Sequence, residues 1–450
     1  MTQLNDARMI DLQAAPGFAA RALYEALLTP APAPLARSRA REFLAEQLAA
    51  AEQLPNPLPA SPAALLDWVR DGARRTTERY ADYLQRRRDG GAREYFGNRA
   101  HALYFLRGVA PTKLVDGAWL YGLLPHWQDV RLLPLIKTYL EELGSGDARY
   151  NHVLLYRRLL AENACEDFDE LSDEHFIQGA VQLAFAHLAD DFLPELIGYN
   201  LGYEQLPLHL LISNYELQEL GLDAFYFQLH VTVDNAGSGH ARHAVQALLN
   251  HLPAQDRAAY LARVANGYRL NELGTGSRDV MSAFDLEAEL LNLLENKRQV
   301  AGQVHSDRCR IAGRTVNQWL SAADGVAGFL AALQAEGWIQ RHRDPRESRF
   351  WRLVEGDRPA MFGVFSQYER QVLYDWIAGG WPAPRAPRQR AAQVDEAPQD
   401  AECAALQREL AQLPASRRAA RLIELLSPAT HATPAGLLAT RRFASEFVRP

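Results

Sequence analysis

Apolar residues recur at intervals of three and four along most of the chain, as in Leu132, Leu133, Leu135, Ile136, Tyr139 and Leu140. That spacing lines one face of an α-helix. Ala, Arg, Glu and Gln fill the positions between, and all of them favour helix. Few runs show the strict alternation of a strand, so the pattern predicts an all-α fold. Breaks fall at Pro30–Pro34, Pro55–Pro62, Ala110-Pro111, Gly144–Gly146, Asp169–Asp173 and Gly221. After PNPLPASP, Ser61 is placed as N-cap and Pro62 as the first helical residue of a long helix that Gly90-Gly91 ends. The arginines of that helix alternate with Asp and Glu, which reads as a solvated face.

The same pattern divides the chain. Residues 1–95 read as an N-terminal helical region, and 96–380 as a helical core with a helical extension. Residues 381–399, rich in Pro, Arg and Ala, read as a linker. Residues 400–450 read as a tail of two short amphipathic helices with a break near Pro428–Pro434. No internal repeat of fixed period is present.

Composition narrows the class. The chain has 450 residues, 48% of them apolar, which is enough for a substantial core. A net charge of −7 gives no footprint for nucleic acid or an acidic membrane surface. Cys165, Cys309 and Cys403 are scattered and form no CxxC, so neither a disulfide framework nor a zinc knuckle is expected. The start MTQLNDARMIDLQAAPG lacks a charged segment followed by an apolar run, and no apolar stretch has the length of a membrane span. A cytoplasmic protein with no membrane or nucleic-acid partner is the expectation.

The middle third carries the candidate chemistry. Glu142 and His152 flank a Gly-Ser-Gly break. Glu204 lies in the apolar stretch LIGYNLGYEQLPLHLL, where a carboxylate is costly to bury unless paired or metal-bound; Glu195 is its rival. His230 and Asp234, at i and i+4, share one helical face, and His240 and His243 follow. The glycines of Asn235–Gly239 are poor helix formers, and a break there would re-aim His240. Carboxylates with imidazoles from facing helices suit two divalent iron ions. None of the thirteen histidines has Glu or Asp three residues before it, so the ferritin-type Glu-x-x-His is absent. HExxH is absent too.

The order Glu142, His152, Glu204, His230-x-x-x-Asp234, His240 resembles the heme-oxygenase-like diiron oxygenases and oxidases, across about residues 100–260. The resemblance implies a heme-oxygenase-like helical bundle with additional N- and C-terminal helices. It also implies two Fe(II) per chain, dioxygen as co-substrate, a small-molecule substrate of amine, amino-acid or fatty-acid type, and an external electron donor. A homodimer is compatible with it. Glu142, His152 and His240 would favour one iron, His230 and Asp234 the other, with Glu204 shared. The family pattern places its last His where this chain has Gly237, and a three-residue insertion moves that ligand to His240. Asn151, Tyr203 and Asn235 are candidates for orienting the ligands.

Other features stay open at this level. The stretch from Asp116 to Trp127 reads as pocket wall or as core. Arg314, Arg349 and Tyr368 are candidates for meeting a substrate carboxylate. Two other function classes compete: a metal-free helical binding or scaffold protein, and a metal-free thiaminase-like enzyme on the same fold, for which Cys165 would be the reactive group.

Overall fold

The structure is a computed structural model that describes residues 19–233, 239–301, 305, 308–323, 325–361, 363–382 and 401–448. It is all-α apart from one short hairpin among the described residues, Arg310–Ile311 with Arg314–Thr315. The long helix near the N-terminus begins as a 3-10 turn, Pro62–Ala64, and continues as Leu65–Arg88. Pro62 takes the first helical position as expected. The Ser61 hydroxyl does not cap it, because the tight first turn closes through backbone, with Ala64 N–H donating to the Ser61 carbonyl. Gly90, at φ 85°, follows the helix end. The arginine-rich face is solvated and partly self-paired, as in Arg74–Glu78 at 2.9 Å.

The apolar stripes of the helices gather into two clusters. The first joins the N-terminal helices Ala20–Leu27 and Pro34–Glu52 to Leu133–Glu142, Ile177–Leu188, Leu193–Tyr203, His240–Asn250 and Arg257–Arg269. The second joins Arg99–Gly108, the far end of His152–Glu162, Tyr226 and Phe227, and the helices between Val280 and Ile377. The candidate chemistry lies along the seam. Leu140 and Leu143, on either side of Glu142, belong to the first cluster, as does Ala241 beside His240. Tyr156, one turn after His152, and Tyr226, one turn before His230, belong to the second.

The C-terminal tail holds three helices rather than two: Ala401–Gln412, Ala415–Leu425 and Pro434–Phe447. Pro414, extended at ψ 157°, divides what reads as one amphipathic segment. Leu422, Leu426 and Phe443 join the first cluster. Tyr139 Oη donates to the Leu426 carbonyl, and Arg441 donates to the Gly146 carbonyl at 3.2 Å. The tail therefore packs against the turn that separates Glu142 from His152. No described helix is long and apolar enough to cross a membrane.

Candidate metal centre

Helix Leu133–Glu142 buries Leu135, Ile136, Tyr139 and Leu140, and the same face carries Glu142 inward at the last turn. A carboxylate there meets the negative end of the helix dipole, an arrangement that a bound cation relieves. The chain then reverses through three residues at positive φ, Gly144, Ser145 and Gly146. A Cβ on Gly144 would lie 2.5 Å from the Asn151 nitrogen, so only glycine lets the two limbs meet in the Leu143–Asn151 bridge. Asn151 Oδ1 accepts the Leu154 N–H at 3.0 Å, capping the helix that starts at His152.

The other groups arrive from separate elements. Glu204 directly follows helix Leu193–Tyr203, again at a helix C-terminus. His230 lies in helix Phe225–Val233, with Nδ1 2.9 Å from the Tyr226 carbonyl of the preceding turn. His240 opens helix His240–Asn250. Asp116 precedes Gly117, whose φ of 78° and missing side chain allow the loop to lie on Glu142; a Cβ there would fall 2.8 Å from the Glu142 Cβ.

These residues form two groups of groups able to hold a metal ion. In the first, His152 Nδ1 touches Glu142 Oε2 and lies 3.9 Å from Asp116 Oδ2, while His230 Nε2 lies 3.2 Å from the same Asp116 oxygen. The rings of His152 and His230 are 4.4 Å apart. In the second, His240 Nδ1 lies 3.0 Å from Glu204 Oε2 and 3.3 Å from Glu142 Oε1. One candidate ligand atom from each residue falls within 4.8 Å of the others in its group, and Glu142 belongs to both. All six side-chain-bearing residues are at most 5% exposed.

The donor set fits a divalent metal. Glu142 Oε2 and His152 Nδ1 are buried in contact with each other, and Asp116 Oδ1 is buried without a hydrogen-bond partner among the described residues, which is costly unless something else satisfies it. Both nitrogens of His230 face acceptors, the Tyr226 carbonyl and Asp116. A neutral imidazole has one N–H to offer. With Nδ1–H on the carbonyl, Nε2 meets Asp116 lone pair to lone pair, and a cation between them resolves the clash. His240 repeats the arrangement, with Nε2 2.8 Å from Glu141 and Nδ1 toward Glu204. A half-exposed carboxylate behind a ligating imidazole is a familiar way to orient it.

The charges respond to this crowding. Burial opposes ionisation of Glu142, yet the His152 and His240 imidazoles together outweigh it and hold the carboxyl well below its usual range. Burial likewise opposes ionisation of Asp116, and Lys113 and His230 overcome it. Tyr226 moves the other way. Burial first, then the Asp116 charge, push its phenol well above the usual value, so it stays protonated and donates to Asp116 Oδ2 at 2.5 Å.

Of the residues singled out in sequence, Glu142, His152, Glu204, His230 and His240 are brought together here, while Asp234 lies outside the described residues, as does Asn235. The grouping differs from the one the resemblance implied. His152 lies with His230, and Glu142 rather than Glu204 is common to both groups. His243 belongs to neither group; its ring is 6.5 Å from that of His240. Glu195 is spent on Arg263, at 2.5 and 2.7 Å. Asn151 caps and does not touch the ligand set, whereas Tyr203 accepts from Lys113 Nζ at 3.2 Å beside Asp116. Asp116 and Glu141 were missed as site residues. The available signal for Asp116 was a lone acid followed by glycine in an apolar run, Val115-Asp116-Gly117-Ala118-Trp119-Leu120.

Three open features are settled by packing. The stretch after Asp116 is core, with Trp119, Leu120, Leu123 and Leu124 buried in the first cluster. Arg314 stacks on Trp319 and Arg349 on Trp338, while Tyr368 donates to Glu289; none of the three lines the cavity beside the site. Cys165 is buried in the second cluster, and burial pushes its thiol up to about 12, which leaves it unreactive.

A cavity of about 690 Å³ opens on the first group, with His230, Ala241, Lys113 and Tyr203 in its wall. Comparison with known proteins agrees with the donor set. Residues 103–272 match a family model described as iron-containing redox enzyme; that segment holds every described residue of both groups. A search of curated proteins and a search of solved structures each returned no match.

Proposed function

We propose that this chain, all-α and matching over residues 103–272 a family model described as iron-containing redox enzyme, is a non-heme diiron oxygenase or oxidase acting on a small organic substrate with dioxygen. The observation that carries the reading is the pair of buried His/carboxylate groups sharing Glu142, one of which faces the cavity. In this reading Asp116, Glu142, His152 and His230 hold one iron, and Glu142, Glu204 and His240 the other. The six side chains fall into two groups, of four and of three residues, which gives each of two ferrous ions its own set of protein ligands. Bound iron supplies reductive activation of dioxygen.

The chain's own residues do the rest. Tyr226 donates to Asp116 Oδ2, the oxygen that faces His152 and His230, and so holds that carboxylate in position. The Tyr226 carbonyl fixes His230 with Nε2 directed at the site, and Glu141 does the same for His240. The two apolar clusters on either side of the seam keep bulk water from the reacting face, and the cavity admits substrate beside His230. A small-molecule substrate and an external electron donor are the partners this chemistry needs.

The test is anaerobic Fe(II) titration of the metal-free protein, followed by a dioxygen pulse and stopped-flow absorbance. About two irons per chain are expected, with a transient visible band that His230→Ala lacks. No iron uptake, or uptake that His230→Ala leaves unchanged, overturns the proposal and returns the chain to the helical binding proteins.

A further inference from the structure

The C-terminal tail lies outside the matched segment 103–272, yet it backs the turn between two of the candidate ligands. Gly146 ends that turn at φ 85°. A Cβ there would fall 2.5 Å from Arg441 Cγ and 2.5 Å from the Leu437 carbonyl oxygen. Only glycine lets helix Pro434–Phe447 rest directly on the turn. Arg441 adds a hydrogen bond to the Gly146 carbonyl at 3.2 Å. On the Glu142 side, Tyr139, one turn earlier on the same helix, donates to the Leu426 carbonyl from a buried position.

Asn151 is the junction of turn and tail. It is fully buried, and its amide is bonded in three directions. Oδ1 accepts the Leu154 N–H at 3.0 Å, while Nδ2 donates to the Leu143 carbonyl at 3.3 Å and to His431 Nδ1 at 3.2 Å. Turning the amide over would set Oδ1 against the Leu143 carbonyl and Nδ2 against the Leu154 N–H, so its orientation is fixed. Leu143 follows Glu142, and Leu154 lies in the first turn of the helix that His152 opens. One side chain therefore ties both ligand-bearing limbs to the tail.

His431 is held ready for that role. It is 2% exposed, lies between helices Ala415–Leu425 and Pro434–Phe447, and donates its backbone N–H to the Ser427 carbonyl at 3.0 Å. Burial leaves its ring neutral, so Nδ1 can accept. A tail that only covered the core would need no more than its apolar face, Leu422, Leu426 and Phe443. Three of its hydrogen bonds fall instead on Tyr139, Gly146 and Asn151.

Resting on the reading of the site as a metal centre, we propose that the tail is part of that centre: His431, acting through Asn151, is a positioning residue that fixes how Glu142 and His152 face each other and so sets the affinity for iron. Groups behind metal ligands act in this way by holding the ligands in their binding geometry before the ion arrives.

The experiment compares the full chain with His431→Leu, which keeps bulk and removes the acceptor, and His431→Asn, whose Oδ1 takes the place of Nδ1. Fe(II) affinity is measured anaerobically by competition with a chelator, and amide hydrogen exchange at Leu154 is followed in the metal-free protein. His431→Leu is expected to weaken iron binding about 10- to 100-fold and to speed exchange at Leu154, and His431→Asn to restore both. Arg441→Gln, at an exposed position, acts in the same direction more weakly and carries the test if His431→Leu does not fold. A lower denaturant midpoint in His431→Leu, with iron affinity per folded chain and Leu154 exchange unchanged, makes the tail a cover only and overturns the proposal. So does a His431→Asn protein no better than His431→Leu. Iron uptake by the unaltered chain is read first. Its absence sinks the metal reading, whereas uptake that His431→Leu leaves intact sinks the tail proposal alone.

Discussion

Glu216 and Glu142 are both buried carboxylates, at 0% and 3% exposure, and their surroundings could hardly differ more. Glu216 is satisfied by the protein. It accepts the Tyr83 hydroxyl at 2.7 Å and the backbone N–H groups of Glu94, Tyr95 and Phe96, so it ties helix Leu65–Arg88 and the segment after it to helix Leu208–Glu219. Glu142 instead meets two imidazoles, His152 Nδ1 at one oxygen and His240 Nδ1 at the other, and shares its two groups with Asp116, Glu204 and His230. The first carboxylate is complete without a ligand. The second is the centre of an acceptor-rich cluster that a cation completes. The difference teaches that burial alone does not mark a functional acid; the inventory of donors around it does.

That contrast is open to direct attack. The largest effect is expected for Glu142→Ala, which removes the one residue common to both groups. Iron content should fall from about two per chain to near zero, while the melting temperature of the metal-free protein holds or rises, because a costly buried charge is gone. Elemental analysis and calorimetry check both halves. Glu216→Ala should do the reverse. Stranding the Tyr83 hydroxyl and three N–H groups costs roughly 3 kcal/mol or more of stability, seen as a lower denaturant midpoint, with iron uptake per folded chain unchanged.

A smaller effect is expected for Tyr226→Phe, which deletes only the donor to Asp116. Iron affinity should drop about 10- to 100-fold with little change in the stability of the metal-free protein, read by competition with a chelator. An unchanged affinity would separate Asp116 from the metal site. The smallest effect concerns the brace behind the Glu142–His152 turn. Burial pushes His431 down to about 3, and Asn151 Nδ2 donates to its ring at 3.2 Å. His187 and His209 are also held down, to about 4. Their folded pKa values lie below the ordinary 6.5, so between the two values the unfolded chain binds more protons. Stability is therefore full above about pH 6.5 and is lost as pH falls toward 4. His431→Gln should flatten that acid slope in a series of thermal melts, while Glu216 keeps the other region intact.

Much of this was legible in sequence, for physical reasons that also explain the gaps. Period-3.6 stripes such as Leu135, Ile136, Tyr139 and Leu140 specify helices locally, so the all-α class follows without tertiary information. Glu204 stood out as a carboxylate in an apolar stretch, and Glu142, His152, His230 and His240 through the order of carboxylates and imidazoles that resembles the diiron family. Asp116 did not, since its approach to Glu142 depends on the left-handed turn at Gly117 and on the absence of a side chain there. The tail was misread by one helix because Pro414, extended at ψ 157°, divides a run whose helix-favouring composition continues on both sides of it. Which imidazole groups with which carboxylate depends on how two clusters of helices meet across a seam. No spacing within one helix encodes that.

The measurement that tests the central claim most directly is anomalous diffraction at the iron edge from crystals grown anaerobically with Fe(II). The account predicts two peaks, one on each side of the Glu142 carboxylate, the first among Asp116, His152 and His230 and the second beside Glu204 and His240. A single peak away from Glu142, or none in the presence of excess Fe(II), would contradict it.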